Sequence, residues 1–133
     1  MPESRFQHLQ HFMDQDVLVL MLTLSELSDD DTTNKLRQEM QAAVSTAGAK
    51  RVVVDLERTS YIASPGIRAL LGFRRHFVEQ GGRLILCHLN DLIRDVLNTA
   101  RLIGVTGSSP PVLFETAPDR ASGIAYLTVP PAH

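Results

Sequence analysis

A single serine stands where this chain could do chemistry. Ser64 lies in Tyr61-Ile62-Ala63-Ser64-Pro65-Gly66-Ile67-Arg68, at the join between a strand-like and a helix-like run. A nucleophilic serine needs a base within hydrogen-bonding reach. His76 lies twelve residues further along the same helical run, about 18 Å away at ~1.5 Å per residue, and His88 lies beyond the next strand. The local sequence also lacks the first glycine of a G-x-S-x-G elbow, and Pro65 removes the backbone N–H that would help form an oxyanion hole. The reading is therefore of a protein that is not an enzyme. Locally, Ser64 reads as a helix N-cap contributing about 1 kcal/mol. Pro65 then takes the first helical position, where its missing N–H costs nothing, and Gly66 keeps the approach uncrowded.

Other reactive residue types point elsewhere. Asp29, Asp30 and Asp31 are hard-cation ligand types, but adjacent side chains at a helix start point in different directions, so they read as capping and dipole-complementing charges. His8 and His11 read as surface residues. Cys87 follows Leu84-Ile85-Leu86 in a strand interior and reads as a small core residue in a reducing compartment. There is no glycine-rich phosphate loop. No metal and no cofactor is assigned.

These residues need a scaffold, and the hydrophobic pattern supplies one. Phe6 to Phe12 reads as an edge strand, and Asp14-Gln15-Asp16 as a turn. Val17 to Leu24 reads as a strand buried on both faces, as in a helix-covered sheet. Ser28 would cap a helix whose apolar face is Leu36, Met40, Ala43, Val44 and Ala47, stopped by Gly48. Arg51 to Leu56 is a second buried strand. It leads to the helix from about Pro65 to Glu79, whose apolar spacing uses Ile67, Leu70, Leu71, Phe77 and Val78, with Gln80-Gly81-Gly82 as its end. Arg83 to Cys87 is a third. Asn90 or Asp91 caps a helix with Leu92, Ile93, Val96, Leu97 and Ala100 on one face, and Gly104 closes it. Gly107 to Pro111 reads as a loop, Val112 to Phe114 as a last strand, and Ala121, Ile124, Ala125 and Leu127 as a final helix. Strands alternating with helices imply parallel neighbours and right-handed crossovers.

Composition bounds the function. At 133 residues the chain suits one domain spanning 1–133, with an ordered core over about 5–128 and loose ends, able to bury roughly two-thirds of its unfolded surface. A net charge of −2 gives no electrostatic reason to bind nucleic acid. The longest apolar run falls short of the ~18 residues of a membrane span and no signal-peptide pattern is present, so no membrane insertion is expected and the cytoplasm is the expected location.

Arg51-Val52-Val53-Val54-Asp55-Leu56, then Tyr61-Ile62-Ala63-Ser64-Pro65-Gly66-Ile67, then Gln80-Gly81-Gly82-Arg83-Leu84-Ile85-Leu86 together resemble the STAS domains, named for sulfate transporters and anti-sigma factor antagonists, over nearly the whole chain. The resemblance implies an α/β fold: a small mixed β-sheet with about four helices packed mainly on one face. In stand-alone members a strand of this kind enters an Asp-Ser-Ser-Gly-Leu-like turn whose first serine is phosphorylated by a partner kinase. By position that serine is Ser64, with Ala63 in place of the Asp and Pro65 in place of the second serine. Arg101 stands where relatives commonly turn on glycine.

The resemblance implies an anti-sigma factor antagonist: a binding protein for a serine kinase that is also the anti-sigma factor, released by phosphorylation and reset by a phosphatase. The partner surface it implies is Tyr61, Ala63, Ser64, Pro65, Gly66 and Arg68. A phosphate on Ser64 would add about −1.5 to −2 charge at a helix N-terminus, where it is stabilised by roughly 0.3–2 kcal/mol, with Arg68 in position to reach back to it. The cost falls on a partner shaped to the neutral hydroxyl. A constitutive adaptor or transporter-associated STAS subunit, unphosphorylated, is the alternative the same resemblance carries.

Overall fold

The computed structural model describes residues 6–103 and 113–128. The sheet is built on strands β2 (Val17–Leu22), β4 (Arg51–Asp55) and β6 (Arg83–Cys87), whose residues are buried on both faces apart from Met21, Arg51 and Arg83. The cause is a helix layer on each side. Leu18, Leu20, Val52, Val54, Leu84 and Leu86 point into one core with Leu36, Met40, Phe73, Phe77, Ile93 and Leu97. Val17, Val19, Val53, Ile85 and Cys87 point the other way, onto Ile124 and Leu127. Three helices cover the first face: α1 (Asp30–Ala47), α2 (Ser64–Glu79) and α3 (Asp91–Thr99). The last, α4 (Arg120–Thr128), covers the second.

β1 (Leu9–Asp14) pairs antiparallel with β2, and the sheet runs β1-β2-β4-β6-β7, with β7 (Glu115–Ala117) parallel on the far edge. The hairpin turns on Gln15 and Asp16, both at positive φ, which suits the twist of the two strands. A separate parallel pair, β3 (Glu26–Leu27) with β5 (Tyr61–Ile62), sits beside the start of α2.

Several sequence expectations shift. The edge strand begins at Leu9 rather than Phe6, which packs partly buried against the core instead. Asp29, not Ser28, caps α1: its Oδ2 accepts the Thr32 N–H at 2.6 Å and its Oδ1 the Thr32 hydroxyl at 2.9 Å, bonds that hold its carboxyl below the usual range. The last described strand is Glu115–Ala117, just beyond the expected Val112 to Phe114, of which Val112 lies outside the described residues. Phe114 is instead a buried plug whose N–H donates to the Leu102 carbonyl, and pairing with β6 starts at Ile85–Glu115, beside the bidentate Arg83–Glu115 ion pair. Ala121 and Ala125 are exposed, so α4 buries a narrower face, centred on Gly123, Ile124 and Leu127. Leu92 and Val78 are likewise exposed. Gly48 ends α1 at φ 63° and Asn90 caps α3 through the Ile93 N–H, as the sequence suggests. The expected Gly104 stop, the Gly107–Pro111 loop, and residues 1–5 and 129–133 lie outside the described residues.

Arg101 follows the α3 C-cap with φ 62°, the left-handed conformation that glycine adopts freely and a side chain resists. Arg101→Gly should therefore raise stability by about 0.5–1 kcal/mol, after allowing for glycine's freer unfolded state. Urea denaturation of the two proteins checks this; an unchanged or lowered midpoint would count against it.

Candidate functional site

The start of α2 is held by backbone chemistry from β3. The Thr59 hydroxyl, buried, donates to the Leu24 carbonyl at 2.8 Å, and the Ser60 N–H donates to Ser25 at 2.8 Å. β5 then pairs with β3, and the Ala63 N–H donates to the Leu27 carbonyl at 2.9 Å. This last bond keeps Ala63 extended while its own carbonyl accepts the Ile67 N–H at 3.1 Å. Ala63 is thus the N-cap, with no side-chain cap bond, and Ser64 is the first helical residue. The expectation that Ser64 caps the helix is overturned, and Pro65 moves to the second position. The reason is that the β3–β5 pair sets the helix boundary one residue earlier than side-chain chemistry suggests.

Gly66 explains the close approach. A Cβ there would stand 2.6 Å from Leu27 Cβ and 2.8 Å from Ile62 Cγ1, and would strike the Leu27 carbonyl oxygen. Only glycine lets the first turn of α2 lie against β3. Asn90 closes the arrangement from the other side: its Nδ2 donates to the Ser60 carbonyl at 3.0 Å while its Oδ1 caps α3.

Ser64 is exposed, and its hydroxyl makes no hydrogen bond among the described residues. The N–H groups of Ser64 and Gly66 precede the first intrahelical bond, made by Ile67, so the positive end of the helix dipole lies next to this hydroxyl. Tyr61 is exposed on β5, Ala63 and Pro65 are half-buried, and Gly66 is buried. Arg68 is exposed but does not turn back toward Ser64. Its Nη2 meets Asp30 Oδ1 of α1 at 2.7 Å, which ties together the N-termini of α1 and α2. Asp30, Thr33, Arg37, Pro65 and Arg68 line a shallow groove of about 120 Å³ between them.

The expected residues thus gather around one helix start. Sequence reasoning missed Asp30, Thr59 and Asn90 as its supports. Asp30 did carry a signal, as part of the acidic triplet, whose members take separate roles: Asp29 caps, Asp30 pairs with Arg68, and Asp31 pairs with Lys35 at 3.2 Å.

Among the described residues no base is hydrogen-bonded to Ser64. His76 contacts Gln80 at the far end of α2, and His88 lines a cavity with Asp14, Asp119 and Arg120, beside α4. Cys87 is buried, and desolvation together with the nearby Asp55 charge pushes its thiol well above the ordinary value. Among the described residues no helix is long and apolar enough to cross a membrane.

The family model described as "Mlab, STAS domain" matches residues 11–113. The chain belongs to the STAS family. This STAS domain is 30% identical over 93 residues to the Bordetella bronchiseptica protein named "Putative anti-sigma factor antagonist BtrV", covering 70% of this chain and 79% of the relative. It is 24% identical over 98 residues to the anti-sigma F factor antagonist of Paenibacillus polymyxa, covering 74% and 84%. Its fold matches that of the Bacillus cell fate determinant SpoIIAA in the phosphorylated form, with a TM-score of 0.61 and 22% identity over 90% of this chain and 98% of that one. The mixed sheet and its helices are those of a STAS domain, as the sequence motifs imply.

Proposed function

We propose that this STAS domain is an anti-sigma factor antagonist that binds a serine kinase acting also as the anti-sigma factor, and that phosphorylation of Ser64 by that kinase ends the association. The observation that carries the reading is an exposed hydroxyl, with no hydrogen bond to any described residue, on the first residue of a helix whose backbone is fixed by β3. A kinase needs such a hydroxyl presented to it. The helix dipole favours the anion that results, and Ala63 places no carboxylate beside it. Arg68 lies one turn on and is held, among the described residues, by an exposed ion pair to Asp30. Pairs of this kind are worth about 0–1 kcal/mol, so a phosphate dianion competes for the guanidinium on favourable terms. The domain itself then tolerates the phosphate, and the cost of burying it falls on the partner. A phosphatase completes the cycle.

The test is direct. Partners are recovered with the full chain as bait, the recovered kinase is incubated with the protein and ATP, and peptides are mapped by mass spectrometry. Phosphate on Ser64, absent after Ser64→Ala, is expected. Modification only at other residues, or none, would overturn the switch and leave the constitutive adaptor as the reading.

A further inference from the structure

We propose that Asp55, Cys87 and His88 form a binding site for a divalent transition-metal ion of the zinc class, at the carboxyl end of the parallel sheet beneath α4. The β4–β6 register sets Asp55 directly opposite Cys87, and both lie on the α4 side of the sheet, because Val53 and Ile85, two residues earlier on each strand, point there. His88 follows Cys87 at φ 57°, where the chain leaves the strand. A carboxylate oxygen, the Cys87 sulfur and a His88 ring nitrogen all lie within 4.8 Å of one another. Ligands on one tetrahedral zinc ion stand roughly 3.3–3.8 Å apart, given bonds of about 2.0–2.3 Å. The trio therefore closes on an ion by about 1 Å of side-chain movement.

The second observation is the state of Asp55. Its side chain is 1% exposed. Oδ1 accepts the Glu57 N–H at 2.9 Å, but Oδ2 accepts no hydrogen bond from any described residue. Its counter-charge among the described residues is Arg120, whose Nε lies 3.3 Å away without hydrogen-bond geometry and whose Nη1 is directed to the Met21 sulfur at 3.1 Å. A buried carboxylate oxygen with so poor a partner is a costly arrangement, and a metal ion would complete it. One thiolate and one carboxylate cancel the charge of a divalent ion, so the loaded site is neutral.

The donor set selects the ion. Sulfur, imidazole nitrogen and a single carboxylate suit zinc and its neighbours, whereas magnesium and calcium require oxygen shells. The bonding balances without an oxidant or reductant: the sulfur–metal bond forms as the thiol proton leaves to solvent, neutral His88 donates a lone pair, and the carboxylate exchanges Arg120 for the ion. Entry is provided by a cavity of about 430 Å³, lined by Asp14, His88, Asp119 and Arg120. The Arg120 side chain is 37% exposed and can swing into that cavity, toward Asp14 and Asp119. With three protein ligands, the fourth position is left to water or to one of these aspartates.

Zinc chloride titrated into the full chain against a chromophoric chelator should report one equivalent bound with a Kd of about 1 μM or tighter. Cobalt chloride should give a sulfur-to-cobalt charge-transfer band. His88→Gln should weaken zinc at least about tenfold, Cys87→Ser should abolish the band, and Arg120→Gln should tighten binding by removing a competing cation, a direction no purely structural role predicts. Circular dichroism checks that each variant is folded. The absence of a charge-transfer band in the unaltered protein overturns the site by itself, whatever the variants do. So does zinc affinity unchanged by His88→Gln, or lost only when His8 and His11 are replaced.

Discussion

Gly66→Ala is expected to lower the stability of this domain by about 2–4 kcal/mol, toward the upper end of overpacking substitutions, and its melting temperature by roughly 10 °C. The added methyl would meet Leu27 Cβ at 2.6 Å and Ile62 Cγ1 at 2.8 Å, as well as the Leu27 carbonyl oxygen. That oxygen also accepts the Ala63 N–H, so β3 cannot withdraw without releasing the bond that sets the start of α2. Gly72 is the control in the same helix. A methyl there meets the flexible Arg37 side chain, Cδ at 3.1 Å and Nε at 3.9 Å, and Gly72→Ala should be neutral or gain up to about 1 kcal/mol from helix propensity. Thermal denaturation of the two variants decides the matter. Equal effects would mean that the contact with β3 does not govern this helix start.

Ser64→Asp should weaken binding to the proposed kinase partner about 100-fold, equivalent to roughly 2.7 kcal/mol, whereas Ser64→Ala should cost less than about tenfold, since it removes at most one neutral hydrogen bond. The asymmetry follows from where the charge sits. On the free domain a carboxylate at the first position of α2 lies beside the N–H groups that precede the first intrahelical bond, at the positive end of the dipole. In the proposed complex it would have to shed water against a surface that accepts a neutral hydroxyl. Calorimetry with the purified partner measures both variants. If neither alters the affinity, Ser64 lies outside the interface and the switch fails, even where a kinase can modify the residue.

How much of this was legible in the sequence depends on what holds each element. β2, β4 and β6 could be read directly because burial on both faces writes itself as an unbroken apolar run. Gly48 and Asn90 could be read because cap chemistry is local. β3 and β5 could not. Each is two residues long, and each exists only through pairing with a segment about 35 residues away. The same pair moved the start of α2 onto Ala63, a residue whose methyl carries no capping signal. Arg68 was placed correctly on the helix, but its partner Asp30 lies 38 residues away, a pairing that helical spacing cannot forecast. Phe114 reads as the end of a strand because apolar patterning does not distinguish a buried plug tied to Leu102 from a rung of the sheet.

The backbone anchoring of Ala63 and Gly66 also has a consequence for timing. A recognition loop that must order itself on binding slows association and spends part of the interaction energy on entropy. Here the turn bearing Ser64 is already tied to β3 through the Ala63 N–H and to α3 through Asn90. Encounter with a partner therefore requires no folding step. Under the proposed switch, a phosphate on such a turn would change how long a complex lasts far more than how quickly it forms, and its removal would leave a protein already shaped to bind again.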